Sequence, residues 1–106
     1  MKILIIEDDK DTLEVLGFLA GELKLDVVSK TAILSLSEIK TIAPNLILTD
    51  HWIGNKFGSD LCRAIKLDPY LHHIPVILLS AQQNVQDLAD KCHADAFLAK
   101  PFDINE

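Results

Sequence analysis

Cysteine is scarce in this sequence. Its 106 residues include two cysteines, Cys62 and Cys92, with no CxxC pair. Disulfide frameworks and thiolate metal sites need more cysteines at characteristic spacings, so neither is indicated. The four histidines do not favour zinc either, because no two of them have the i, i+4 spacing that places both on one helix face. We expect two reduced, mostly buried thiols.

Long apolar runs, a net positive charge and glycine-rich phosphate loops are also missing. No apolar run approaches the roughly 20 residues that a membrane-spanning helix needs. The formal net charge is -6, which opposes binding to nucleic acids or anionic membranes. No GxGxxG or Walker-type run follows the first predicted strand, so a nucleotide-binding loop is not predicted. We expect a cytoplasmic protein with no direct contact to nucleic acid or membrane.

What the chain does contain is enough apolar residues for one core. Hydrophobic residues make up 49% of the chain, whose length suits a single domain over residues 1–106. Short runs rich in Ile, Val and Leu alternate with longer amphipathic stretches, which predicts an α/β fold with a parallel sheet. We predict strands over residues 3–6, 27–28, 46–49, 76–79 and 96–99, and helices over about 10–23, 32–43, 58–66 and 85–92.

Polar residues follow four of the five predicted strands. The carboxyl ends of parallel strands share one edge of the sheet, where ligands bind. Carboxylates that crowd together repel one another unless a cation neutralises them, and a set of oxygen ligands suits magnesium. Asp9 and Asp11 fit better as residues at a helix N-terminus than as ligands. The residues at the predicted edge are Glu7, Asp8, Asp9, Asp50, Ser80 and Lys100.

Four segments carry a resemblance to a known family. They are Ile-Ile-Glu-Asp-Asp at 5–9, Leu-Ile-Leu-Thr-Asp at 46–50, Val-Ile-Leu-Leu-Ser-Ala at 76–81, and Ala-Asp-Ala-Phe-Leu-Ala-Lys-Pro-Phe at 94–102. In this order and spacing the chain resembles, over almost its whole length, the receiver domain of two-component response regulators, the chemotaxis regulators included. The resemblance implies a flavodoxin-like, doubly wound parallel sheet of five strands in the order 2-1-3-4-5.

The resemblance also implies a site for phosphoryl transfer. Asp50 is implied to be the phosphoacceptor, which takes a phosphoryl group from a sensor histidine kinase or a phosphotransfer protein. Glu7, Asp8, Asp50 and the main-chain carbonyl of Trp52 are implied to hold magnesium, Glu7 through a water molecule. A receiver domain of this kind is not an enzyme, because it promotes only its own phosphorylation and dephosphorylation.

Three further residues are given roles by the same resemblance. Lys100 is implied to contact one phosphoryl oxygen as a point charge, and Ser80 another through its hydroxyl. Ser80 and Phe97 are implied to form a switch that changes the surface around the fourth helix. The signal then passes to a downstream output domain or protein.

Departures from the family pattern set further expectations. Gly54 stands where the family commonly has proline, so we expect a looser loop. Lys24 stands where glycine is frequent after the first helix, which forces a left-handed backbone on a residue that resists it. The sequence ends where the fifth helix of the family begins. We therefore expect that helix to be absent or truncated, and the face it leaves to be covered by a longer chain or by a partner, such as a second copy in a homo-oligomer.

Two other functions fit parts of the pattern. A pseudo-receiver keeps the fold and acts as a protein-interaction module without phosphorylation, but the complete set of acidic, hydroxyl and lysine residues favours a working phosphoacceptor. A magnesium-dependent phosphohydrolase that forms an aspartyl phosphate resembles Asp-x-Asp at its nucleophile. Trp52 occupies the second position after Asp50, so that motif is absent.

Overall fold

A computed structural model of the chain describes residues 1–81 and 85–99. The elements in chain order are β1 (Lys2–Ile6), α1 (Lys10–Glu22), β2 (Asp26–Lys30), α2 (Leu36–Ile42), β3 (Leu46–Asp50), β4 (Trp52–Ile53), β5 (Lys56–Phe57), α3 (Gly58–Leu67), β6 (Val76–Ser80), α4 (Val85–Cys92) and β7 (Ala96–Ala99). Within these ranges, five parallel strands form one sheet in the order β2-β1-β3-β6-β7, and β4 pairs with β5 in a separate hairpin.

The predicted doubly wound fold is confirmed. The strands β6 and β7 are the fourth and fifth strands of the predicted order 2-1-3-4-5, and they are numbered later because the hairpin precedes them. Four helices lie within the described residues, on the two faces of the sheet. The expectation of an absent or truncated fifth helix concerns residues 100–106, which lie outside the described ranges.

Two apolar clusters cover the two faces of the sheet. Side chains alternate between the faces along each strand, so neighbouring strand residues belong to different clusters. On one face, α1 contributes Leu16 and Ala20 to a cluster with Ile3, Ile5, Leu48 and Leu79. On the other face, α2, α3 and α4 pack on a larger cluster that includes Leu4, Ile6, Ile39, Ile47, Leu61, Ile65, Val76, Leu78 and Ala89.

The ends of α1 and α2 are set by local chemistry. Ser35 caps α2, and its hydroxyl accepts a hydrogen bond from the Glu38 amide while the Glu38 carboxylate accepts one from the Ser35 amide. The helix therefore begins about one turn later than Ala32, where the apolar pattern placed its start. The predicted left-handed backbone at Lys24 is confirmed by its φ of 61°.

The hairpin of β4 and β5 is the element that the sequence did not predict. Trp52 pairs with Phe57, and Ile53 pairs with Lys56. Gly54 is the first residue of the two-residue turn and has a φ of 61°, which glycine adopts at little cost. Where we expected a looser loop, the chain forms a tight antiparallel turn.

An ion pair fastens the sheet edge opposite the carboxyl ends of the strands. The Lys66 ammonium lies 2.6 Å from the Asp95 carboxylate, which also accepts a hydrogen bond of 2.8 Å from the Val76 amide. Partial burial disfavours the charged carboxylate, but the Lys66 ammonium and the Val76 amide outweigh it and hold the pKa of Asp95 below its ordinary value. The ion pair joins the end of α3 to the residue before β7, and the hydrogen bond from Val76 connects Asp95 to the start of β6.

The lowered pKa of Asp95 predicts a pH dependence of stability. A group whose pKa is lowered by folding stabilises the protein above its unfolded pKa, about 3.9, and loses that contribution as the pH falls through the folded pKa. Because the Asp95 side chain is 49% exposed, we expect a contribution of about 0.2–1 kcal/mol. Urea unfolding between pH 6 and pH 3 should show a shallower acid loss for Asp95→Asn than for the unchanged chain.

The matched control is Asp26→Asn, at an exposed aspartate for which residues 1–81 and 85–99 show no ion pair. It should leave the acid slope of stability as it is. Equal slopes for Asp95→Asn and the unchanged chain would contradict the role given to the Lys66–Asp95 pair.

Candidate metal centre

Three carboxylates meet at the carboxyl ends of β1 and β3. The two strands are neighbours in register, with Ile6 opposite Thr49, so the residues that follow β1 lie beside the last residue of β3. One oxygen each of Glu7, Asp8 and Asp50 lies within 4.8 Å of the others. Glu7 is fully buried and Asp50 is 8% exposed, whereas Asp8 faces solvent. The structure thus brings together the three carboxylates that the sequence assigned to a metal.

Main-chain amides orient two of these carboxylates. The Asp9 amide donates a hydrogen bond of 3.0 Å to Glu7 Oε1, and the Gly54 amide donates one of 2.9 Å to Asp8 Oδ2. Asp9 itself is the N-cap of α1, and its carboxylate accepts hydrogen bonds from the amide and the hydroxyl of Thr12. The interpretation of Asp9 as a helix residue is therefore confirmed.

The backbone around Asp50 is packed against the first residue of α3. The Gly58 amide donates a 2.6 Å hydrogen bond to the His51 carbonyl, and the Thr49 hydroxyl donates one of 3.1 Å to the Asp50 carbonyl. A Cβ atom on Gly58 would lie 1.8 Å from that Asp50 carbonyl oxygen. The sequence predicted a helix from about residue 58, and the structure shows that Gly58 is the contact that lets α3 start against β3.

Ser80 and Phe97 lie on one face of the sheet. Ser80 ends β6 opposite Ala99 and is 2% exposed, and Phe97 on β7 lies opposite Leu78. Because residues two apart on a strand share a face, Ser80 and Phe97 are on the face of the Leu78 cluster, to which α4 also belongs. Phe97 is 40% exposed. Lys100, the remaining predicted site residue, lies outside the described residues.

The hairpin places aromatic rings beside the acidic group. His51 is buried, and its ring stacks on Phe57 with centroids 5.2 Å apart. Trp52 contacts Phe57 edge-on at 5.4 Å, and its indole N–H donates a 2.6 Å hydrogen bond to the Gly54 carbonyl. The Trp52 side chain is half exposed. The predicted role of Trp52 as a magnesium ligand concerns its main-chain carbonyl.

The acidic group fits a hard divalent cation. All three side chains offer oxygen, the ligand type that magnesium prefers, and the exposure of Asp8 leaves a side open to the water molecules that magnesium retains. Carboxylates this close repel one another, which a cation between them relieves. Among residues 1–81 and 85–99, this is the one group of three or more potential side-chain ligands that lies close enough to hold a metal.

The two cysteines belong to the core and not to a site. Both are free and buried, and the Cys62 thiol donates a 3.4 Å hydrogen bond to the Cys92 carbonyl. A hydrogen bond with the Cys92 thiol and burial together raise the pKa of the Cys62 thiol. The prediction of reduced, buried thiols agrees with this arrangement.

No helix in the described part of the chain is long and apolar enough to cross a membrane.

Comparison with known proteins identifies relatives along the whole chain. The family model described as "Response regulator receiver domain" matches residues 3–106. The DNA-binding response regulator MtrA of Mycolicibacterium paratuberculosis is 29% identical over 108 residues, a match that covers 99% of this chain and 47% of the relative. Histidine kinase P4 of Formosa agariphila is 32% identical, over 98% of this chain and 8% of the kinase. The chain thus spans about half the length of the response regulator it matches.

Solved structures show the same fold. The crystal structure of a putative response regulator from Chloroflexus aurantiacus superposes with a TM-score of 0.86 and 24% identity, covering 96% of this chain and 86% of the other. At this level of identity the likeness concerns the fold.

Gly58→Ala tests whether the site depends on the close approach of α3 to Asp50. The added Cβ meets backbone atoms that cannot move aside without shifting β3, so we expect the free energy of unfolding to fall by about 1–3 kcal/mol or more. Urea unfolding monitored by circular dichroism measures the change.

Gly17→Ala is the matched control. Gly17 lies inside α1, and nothing lies within 4 Å of a Cβ placed there. Alanine should stabilise the chain at this position by about 0.5–1 kcal/mol. If the two variants change stability alike, the contact of Gly58 with the Asp50 carbonyl does not constrain the site.

Proposed function

Because this chain belongs to the response regulator receiver domain family, we propose that it takes a phosphoryl group onto Asp50 and changes its surface in response. The observation that carries the proposal is the meeting of Asp50 with Glu7 and Asp8 within 4.8 Å at one sheet edge. The donor is a phosphohistidine of a sensor histidine kinase or a phosphotransfer protein. The domain promotes only its own phosphorylation and dephosphorylation, and so is not an enzyme with a separate substrate.

Asp50 is the nucleophile of the proposed reaction. A carboxylate oxygen of Asp50 attacks phosphorus, the phosphorus–nitrogen bond breaks, and its electron pair returns to the imidazole of the donor histidine. The product is an aspartyl phosphate. Since Asp50 is 8% exposed, the fold restricts the access of water to this acyl phosphate.

Magnesium is proposed to be held directly by the carboxylates of Asp8 and Asp50 and the main-chain carbonyl of Trp52, and by Glu7 through a water molecule. Bound magnesium supplies positive charge against the oxygens of the transferred group. Lys100 adds a second positive charge by analogy with the family motif, and the Ser80 hydroxyl donates a hydrogen bond to a phosphoryl oxygen. Together these groups favour the phosphorylated state of a site that is otherwise strongly acidic.

The output of the proposed switch is the surface around α4. Ser80 and Phe97 share the sheet face that α4 covers, so a move of Ser80 toward the phosphoryl group changes the space open to the Phe97 ring. Because Phe97 is 40% exposed, its ring has room to change position. Such a two-state rearrangement needs only one added group to bias it.

The proposed partners are a phosphoryl donor and a downstream output domain or protein. One relative is named a DNA-binding response regulator, and this chain spans about half of it. We assign the signal-receiving part to these residues and any DNA contact to another part of such a protein, because a net charge of -6 opposes direct binding to nucleic acid. The same charge opposes binding to anionic membranes, and a cytoplasmic location completes the proposal.

Trp52 provides a direct test, because it is the one tryptophan and lies in the hairpin that contacts Asp8. We expect its fluorescence to change saturably with magnesium, and to change again when beryllofluoride is added as a mimic of the phosphoryl group. Asp50→Asn should abolish the response to beryllofluoride, and Asp26→Asn, away from the site, should retain both responses.

A folded protein whose fluorescence responds to neither addition would contradict this proposal. The phosphorylation-independent pseudo-receiver would then be the better account. Circular dichroism of each variant establishes that the protein titrated is folded.

A further inference from the structure

Both main-chain polar groups of Gly54 are hydrogen-bonded, and one of these bonds reaches the acidic group. Its amide donates to Asp8 Oδ2 at 2.9 Å, across 46 residues of sequence. Its carbonyl accepts from the Trp52 indole N–H at 2.6 Å. Gly54 also has a φ of 61°, so the turn that presents its amide depends on a conformation open mainly to glycine. One residue therefore connects an exposed indole to a carboxylate of the acidic group.

The indole is held in place by aromatic packing. Trp52 lies opposite Phe57 in the hairpin, and the two rings meet edge-on with centroids 5.4 Å apart. Phe57 in turn stacks on the buried ring of His51, at 5.2 Å. His51 is the residue after Asp50. The hairpin thus links the residue beside Asp50 to the carboxylate of Asp8 through a chain of contacts. The chain consists of two ring contacts followed by two hydrogen bonds.

We propose that Trp52 is a positioning residue for the cation site: its indole hydrogen bond fixes the Gly54 turn, and the Gly54 amide fixes the carboxylate of Asp8. The inference rests on the proposed function, since it assigns Asp8 to a bound divalent cation. It adds a role for the Trp52 side chain beyond the main-chain carbonyl.

The physical reason lies in the exposure of Asp8. Glu7 and Asp50 are buried and confined by their surroundings, but Asp8 faces solvent and has rotamers to lose when it binds a cation. A hydrogen bond to one of its oxygens removes part of that freedom before the cation arrives. Groups that orient a ligand in this way commonly change metal affinity by about 10–100-fold when they are removed.

The sharpest test replaces the indole N–H and little else. Benzothienylalanine has the shape of tryptophan with sulfur in place of the N–H, and the single tryptophan of the chain allows residue-specific incorporation. Trp52→Phe is the companion variant, which keeps an aromatic ring and removes the donor. Both keep the main-chain carbonyl at position 52. Magnesium affinity is measured by titration calorimetry on protein shown to be folded by urea unfolding.

A second readout needs no metal. In the metal-free chain, hydrogen exchange at the Gly54 amide reports whether its bond to Asp8 persists. We expect both variants to bind magnesium about tenfold more weakly than the unchanged chain, and to exchange the Gly54 amide faster.

The outcomes separate this inference from the proposed function. If the unchanged chain binds magnesium and the benzothienylalanine variant binds it equally well, the positioning role is overturned and the proposed function stands. Weaker binding by Trp52→Phe alone would also overturn it, because ring packing and not the hydrogen bond would then be responsible. A folded, unchanged chain that binds no magnesium contradicts both.

Discussion

Mutual repulsion among three carboxylates is the constraint on which this structure depends. Glu7, Asp8 and Asp50 are held with oxygens inside 4.8 Å, two of them largely out of water. Such a group is unfavourable by itself, so the free energy that holds it comes from the strands beneath it, most of whose apolar residues are buried. The register of β1 against β3 fixes the distance between the acids. A cation that relieves the repulsion stabilises the folded state by mass action.

Main-chain amides orient two of the three acids, and a main-chain contact positions the third. The Asp9 amide holds Glu7, the Gly54 amide holds Asp8, and α3 begins against the Asp50 carbonyl because Gly58 has no side chain. The two glycines have different roles. Gly54 provides the positive φ that the turn needs, and Gly58 allows two backbones to come into contact. Backbone groups within a fold have less conformational freedom than side chains. A site oriented by backbone groups therefore needs little rearrangement to bind a small, hard cation.

The sequence predicted the elements that are long enough to show a recognisable pattern of apolar residues. Apolar runs located all five sheet strands, and the resemblance supplied their order, so the meeting of Glu7, Asp8 and Asp50 could be anticipated. The hairpin could not, because strands of two residues are too short to show alternation. The apolar pattern continues back to Ala32 and so predicts too early a start for α2, whereas the capping box of Ser35 and Glu38 marks the true start. The contact of Gly58 with the Asp50 carbonyl is made between two backbones, so its only signal in the sequence is the glycine itself.

The central claim is that Asp50 accepts a phosphoryl group, and the most direct measurement is intact-protein and peptide mass spectrometry after incubation with magnesium and a small phosphoryl donor such as phosphoramidate. The account predicts one added phosphoryl group per chain, located on the peptide that contains Asp50, dependent on magnesium and lost in Asp50→Asn. A folded chain that gains no phosphoryl group, or gains one at another residue with Asp50 unmodified, would contradict it.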